Sequence, residues 1–147
     1  MFKKYSLFLF VPFFFFADQF SKRLITSHFS ENQSLPVISG VFHLTRVNNT
    51  GAAFGLFRGA GIFLIVVTLA SIMAIVVYIL GKWSQIQPSQ RWGWILVISG
   101  ALGNLYDRLF YHYVIDFLDF RVWPVFNLAD SFVCIGVFLV AMGVLRK

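Results

Sequence analysis

From Gly59 to Leu80 the chain carries no charged side chain, and no other feature narrows its possible folds as much. A helix of about 20 apolar residues crosses the hydrocarbon core of a bilayer. Inside that core every backbone amide and carbonyl must be satisfied within the protein, which a helix does and an open strand does not. Three more stretches reach this length. Tyr5 to Ile25 does so with Asp18, Lys22 and Arg23 near its end, Trp92 to Phe110 closes on Asp107 and Arg108, and Leu128 to Leu145 carries Asp130 in its first turn. With 147 residues that are 59% hydrophobic and 12% charged, the expectation is one integral membrane domain over 1–147. Its fold class is an all-α membrane protein with four transmembrane helices at about 5–25, 59–80, 92–110 and 128–145.

Charge sets the expected orientation. Lys3, Lys4, Lys82, Arg91, Arg146 and Lys147 flank one side of these spans with no acid among them. Basic flanks stay in the cytoplasm, so both termini are expected there, with 28–58 and 111–127 outside. The other basic residues lie in the outer half, and several, such as Lys22 and Arg108, have an aspartate close in sequence. Lys3 and Lys4 before Leu7–Ala17 also fit a cleavable signal peptide. The four residues before Ala17 are all Phe, however, which removes the small-x-small cleavage site, and the segment is expected to stay as the first span. The net charge of +6 forms no basic stripe for nucleic acid; it lies beside apolar runs, where it suits anionic lipid heads. A single cysteine, Cys134, excludes an internal disulfide and a Cys-pair metal or redox motif and is expected to serve packing.

Only 28–58 has strand character. Val41 to Val47 alternates and is rich in β-formers, with Ser39-Gly40 before it as a turn, so a small sheet resting at the membrane surface is expected. The segment 82–91 reads as a short cytoplasmic loop.

Five of the six carboxylates gather at one end of the apolar segments: Asp18, Asp107, Asp116, Asp119 and Asp130. Charges near lipid are costly and point to a functional site. Asp18 and Lys22, four apart, share a helix face and can pair, which suits support better than direct chemistry. Asn49-Thr50-Gly51-Ala52-Ala53-Phe54-Gly55 is a run of small residues through which another backbone can approach, and Asn49 offers it both donor and acceptor. Gly100 and Gly103 allow close helix contact. Asn104, Asp107 and Arg108 follow on one face, with Asp107 and Arg108 expected as an architectural ion pair. Asp116 sits in the apolar Val114-Ile115-Asp116-Phe117, which disfavours its charged form. Asn127 is a good N-cap and places Asp130 at the third position of the last helix, where the dipole favours a carboxylate. Two carboxyls in opposed environments suggest an acid and a base; the competing reading is that both merely cap or anchor helix ends. His28, His43 and His112 lack metal-ligand spacing, so no metal or cofactor is expected. No G-x-S-x-G elbow is present, and Ser21 and Lys22, being adjacent, point to different faces.

The ordered set Asp18-x-x-x-Lys22, Asn49-Thr50-Gly51-Ala52-Ala53-Phe54, Gly103-Asn104-Leu105-x-Asp107-Arg108, Val114-x-Asp116-Phe117 and Phe126-Asn127-x-Ala129-Asp130 resembles the signal peptidase II family, the lipoprotein signal peptidases. The resemblance implies an intramembrane aspartic endopeptidase of the bacterial cytoplasmic membrane, with four transmembrane helices, a small extracytoplasmic β-cradle and a short outer helix over the site. It implies a prolipoprotein substrate whose cysteine carries diacylglycerol, cut just before that cysteine, and inhibition by globomycin. By motif, Asp116 and Asp130 are then the catalytic pair. Asn49, Gly51, Ala52, Asn104, Arg108 and Asn127 line or brace the site, and Asp18, Lys22 and Asp107 support it. Its expected partners are the precursor and membrane lipid, with no nucleic acid and a monomeric state. The contrasting class is a non-enzymatic scaffold for lipid or peptide, or a small transporter subunit, although no broken helix or repeat favours a transporter.

Overall fold

The computed structural model describes residues 6–51, 56, 57 and 59–145. The described residues form four long helices and three strands, in the order α1 (Phe10–His28), β1 (Ser34–Ile38), β2 (Phe42–Asn49), α2 (Gly61–Lys82), α3 (Pro88–Phe110), β3 (Val114–Asp119) and α4 (Leu128–Leu145). A short 3-10 turn, Ser6–Leu9, leads into α1. Pro12 sits in the first turn of α1, where its missing N–H is no loss.

α3 is the centre of the bundle and packs against α1, α2 and α4. It begins earlier than the sequence reading placed it. Gln87 and Gln90 form a reciprocal capping box with Pro88 just inside the helix, a strong start signal, so the loop shrinks from 82–91 to 83–87. Among the described residues, α2 and α4 are by length and composition apolar enough to cross a membrane. Their outer faces carry large uncovered hydrophobic residues, such as Ile62 at 80% and Leu145 at 81% exposure, a surface suited to lipid rather than water. Cys134, expected inside the packing, lies on such an outer face of α4. The helix turns its glycines to α3 instead.

That contact is unusually close. A Cβ on Gly93 would stand 2.6 Å from the carbonyl oxygen of Gly136, and one on Gly136 would stand 2.5 Å from that of Gly93. Backbone atoms cannot retreat as a side chain can, so α3 and α4 approach only because both positions are glycine. At the opposite end from the aspartates, Ile79, Trp83, Ile86 and Ile98 close a small core between α2 and α3.

The strands form one antiparallel sheet in the order β1-β2-β3. β2 matches the expected strand, and Gly40 takes φ 73° in the turn before it. Two strands were not legible in the sequence. β1 is exposed along its length and shows no burial pattern. β3 is buried on both faces, so alternation, the usual strand signature, is absent. One of its faces packs Ile115 and Phe117 with Ile25 of α1. The expected short outer helix is not found among the described residues of 29–60 or 111–127.

Gly93→Ala is expected to destabilise the protein in detergent by about 1–3 kcal/mol, the usual cost of overpacking. Gly81→Ala, where an added Cβ meets nothing within 4 Å, is expected to leave it unchanged. Thermal unfolding of the two variants checks the difference, and equal midpoints would show that the glycine contact does not set the α3–α4 distance.

Candidate active site

The pairing of β2 with β3 places Asn49 opposite Val114 and Val47 opposite Asp116. Asn49 Nδ2 thereby donates to Asp116 Oδ2 at 2.8 Å. From the other side Asn127 Nδ2 donates to Asp116 Oδ1 at 2.7 Å. Asp116 is only 2% exposed. Burial, followed by the charge of Asp130, pushes its carboxyl up from the ordinary 3.8 to about 7, against the opposing pull of the two amides. The expectation that its apolar surround favours the neutral form is borne out in direction.

Asp130 is held differently. Asn127 caps α4 as expected: the Asp130 backbone N–H donates to Asn127 Oδ1 at 2.9 Å, and the Asn127 N–H donates to Asp130 Oδ2 at 3.2 Å. This is the reciprocal geometry of a capping box, with aspartate in place of the usual glutamate. Asn104 Nδ2 donates to the remaining oxygen, Oδ1, at 2.8 Å. The two aspartates therefore meet through amides. Asn127 contacts both, and Asn104 joins Asn127 through its own carbonyl oxygen at 3.1 Å.

Beneath the amides lies a buried ion cluster. Lys22 Nζ stands 2.8 Å from Asp18 Oδ2 and 2.9 Å from Asp107 Oδ2, all three residues at 1% exposure or less. Its third donor goes to Asn104 Oδ1 at 3.0 Å. Every N–H of the ammonium thus has a partner. Asp18 Oδ1 accepts the Ala129 N–H at 2.9 Å, which satisfies one of the orphan amides at the start of α4. Asp107 Oδ2 accepts the Ile115 N–H at 3.2 Å and so fixes the residue before Asp116. Gly103 is required here, since a Cβ would come within 2.5 Å of Asp18 Oδ2.

The expected Asp107–Arg108 pair is not formed. Adjacent helical residues face different ways, and Lys22, arriving from α1, takes Asp107. Arg108 turns instead to the Gly51 carbonyl at 3.1 Å and pins the loop after β2, where the Gly51 N–H also donates to Asn49 Oδ1 at 2.9 Å. Ala52 lies outside the described residues. Ser21 Oγ donates to the Asp18 carbonyl oxygen at 2.7 Å and does not bond Lys22, which removes a Ser–Lys pair. Asp119 stands apart, bound by Thr45 at 2.8 Å and by Arg121 at 2.9 Å. Gln19 was missed: its Nε2 bridges Asp18, the Gly103 carbonyl and Asp107, the last at 2.9 Å. A glutamine in an apolar helix beside Asp18 was the available signal.

The chain matches the family described as signal peptidase (SPase) II over residues 10–146. The chain belongs to the signal peptidase II family. Among curated relatives, the lipoprotein signal peptidase of Moorella thermoacetica is 46% identical over 87% of this chain and 85% of its own. That of Halothermothrix orenii is 45% identical over 85% of each, and that of a Nostoc species is 41% identical over 90% of this chain and 85% of its own. Two solved structures, each described as a bacterial membrane enzyme, superpose with TM-scores of 0.88 and 0.85 at 32% identity. The first covers 96% of this chain and 88% of the solved one, the second 97% and 94%. Membership of signal peptidase II makes the chain a protease and sets aside the scaffold and transporter readings. It also gives this family's fold, with its small sheet, to the helices and strands described above.

Removing Lys22 strands two buried carboxylates. Lys22→Met is expected to cost about 3–5 kcal/mol, as for a buried ion pair broken on one side, while Arg121→Gln, on the exposed pair, is expected to cost under about 1 kcal/mol. Thermal unfolding in detergent measures both, and a Lys22→Met midpoint near that of the parent would show that the cluster does not hold the bundle.

Proposed function

We propose that this chain removes signal peptides from prolipoproteins as an aspartic endopeptidase, with Asp116 and Asp130 as the catalytic pair, cutting before a cysteine that carries diacylglycerol. The observation that carries this reading is one residue, Asn127, that reaches both carboxyls: its side-chain amide donates to Asp116 and its backbone N–H to Asp130, and Asp116 is raised to about 7. Two carboxyls with one proton between them are what amide hydrolysis by water requires.

The steps follow from that pairing. Asp130 as carboxylate takes a proton from a water whose oxygen attacks the scissile carbonyl carbon. Asp116 as acid gives its proton to the carbonyl oxygen, forming a neutral tetrahedral diol. On collapse the C–N bond breaks, Asp130 passes its proton to the leaving nitrogen, and Asp116 recovers one from the hydroxyl. The sum is one water added across the peptide bond, with both carboxyls restored. No step needs a metal or cofactor. Asn49, Gly51 and the backbone after it are proposed to receive the extended precursor, with Arg108 and Asn104 bracing that loop. Asp18, Lys22 and Asp107 are proposed to support the pair without touching substrate.

The membrane placement is proposed on the same footing. α1 and α3 join α2 and α4 as spans, making one four-span domain. Its support is the uncovered face of α1, where Phe13, Phe16 and Phe20 stand at 63%, 65% and 65% exposure. The basic flanks put both termini in the cytoplasm and the aspartates near the outer face, where the substrate's acyl chains stay in lipid. A monomer is proposed because the whole network lies within one chain, and globomycin-type cyclic peptides are proposed inhibitors.

Asp116→Asn and Asp130→Asn are each expected to lower cleavage of a lipidated precursor by roughly 100- to 10,000-fold, the range of acid–base groups, with unfolding midpoints still measurable in detergent. Asp116 holds its proton below about 7 and loses it above. The rate is therefore expected to fall as pH rises through about 7. Turnover assays across pH check both expectations. A variant with near-parent turnover would refute the pair, and a rate flat far into the alkaline range with the protein folded would return Asp116 to an anchoring role.

A further inference from the structure

Two neighbouring cavities lie along α1 and α3, and neither is bordered by Asp116 or Asp130. The upper, about 750 Å³, is bordered by Arg23 of α1, Arg46 of β2 and the tyrosines Tyr106, Tyr111 and Tyr113. The lower, about 470 Å³, is walled by apolar side chains, including Val11 and Pro12 of α1 and Leu102, Leu105 and Leu109 of α3. Phe15, Phe16 and Tyr106 border both, so they form one groove, cationic at its outer end and oily below.

We propose that this groove binds one phospholipid with a net-negative headgroup, its phosphate between Arg23 and Arg46 and one acyl chain along the apolar wall between α1 and α3. Charge selects this occupant. Lys22 also borders the upper cavity, but Asp18 and Asp107 already neutralise it. Arg23 and Arg46 form no ion pair among the described residues, and no carboxylate borders the cavity. Arg46 donates from Nη1 to the Phe29 carbonyl at 2.8 Å and still borders the cavity. Arginine forks fit phosphate well, and the three phenols add donors at the depth where tyrosine settles in membranes.

Length agrees with charge. Val11 and Arg23 are separated by about 18 Å at a helical rise of about 1.5 Å per residue. One leaflet of hydrocarbon is half of about 30 Å. An acyl chain whose headgroup lies at Arg23 therefore ends near Val11 and Leu102. The diacylglyceryl group of a precursor would fill the lower groove but has no phosphate for the upper. Neither Asp116, Asp130 nor Asn49 borders either cavity.

The bound headgroup would tie α1 to β2 and to the Tyr111–Tyr113 entry into β3, the strand that carries Asp116. Lipid is therefore expected to stiffen the catalytic strand from behind. This goes beyond the peptidase reading and does not need it.

The test uses the purified full chain, stripped of lipid in detergent, with binding read by native mass spectrometry and by thermal midpoint. Phosphatidylglycerol is expected to be retained over phosphatidylcholine and to raise the midpoint, with a preference of about fivefold for each arginine engaged. The Arg23 side chain is exposed and makes no ion pair among the described residues, so Arg23→Gln is expected to fold normally and to lower the preference about fivefold. Arg46→Gln is expected to do the same, and Arg121→Gln, outside the groove, to leave it unchanged. Equal retention of the two lipids, or a full preference in folded Arg23→Gln, would overturn the proposal. So would an equal rise in midpoint with inorganic phosphate alone, which would mark a small-anion site. Displacement of phosphatidylglycerol by a diacylglyceryl-cysteine peptide would overturn it too, by giving the groove to the substrate.

Discussion

One buried ammonium organises this molecule. Lys22 of α1 is neutralised by Asp18 on its own helix and Asp107 on α3 and spends its last donor on Asn104. An ion of this kind is affordable at a helix end near lipid only when every donor is met and the charges nearly balance. The consequences run outward from it. Asp18 reaches the amide of Ala129 and caps α4, and Asp107 reaches the amide of Ile115 and holds β3. The two elements that carry Asp130 and Asp116 are thus tied to the same cluster, one carboxylate for each.

In the proposed mechanism the amide layer above sets the two aspartates apart. Asn127 and Asn104 are neutral, so they position the aspartates without supplying a charge that would drive both to ionise. Asp116 is left in a dry strand beside the charge of Asp130, while Asp130 sits at a helix start with backbone and amide donors turned to it. Two identical side chains are thereby placed in unlike surroundings, as an acid and a base require.

The helices were legible because bilayer length and a 3.6-residue turn leave little choice, and the cap at Asn127 followed from its spacing to Asp130. The pairing of Asp18 with Lys22 was likewise written in the i, i+4 spacing. What failed to show were contacts decided by tertiary approach. β3 hides because both of its faces are covered, and β1 because neither is. Asp107 was expected beside its neighbour Arg108, yet a lysine from another helix outcompetes it, and nothing local to residues 104–108 announces that arrival. Gln19 escaped for the same reason: its three partners lie on two helices. Pro88 opens α3 rather than closing a loop, because Gln87 and Gln90 cap the helix around it.

The proposed pair depends on a proton that Asp116 holds up to about pH 7. Infrared difference spectroscopy of the carboxylic C=O stretch measures this directly, with the folded protein titrated in lipid bilayers and each aspartate replaced by asparagine in turn. One protonated-carboxyl band that disappears as pH rises through about 7, and that is absent from Asp116→Asn at every pH, is the expected result. In Asp130→Asn the band should disappear at lower pH than in the parent, because the neighbouring charge that helps to raise Asp116 is gone. A band that survives in Asp116→Asn, or no band near neutral pH in the parent, would contradict the claim.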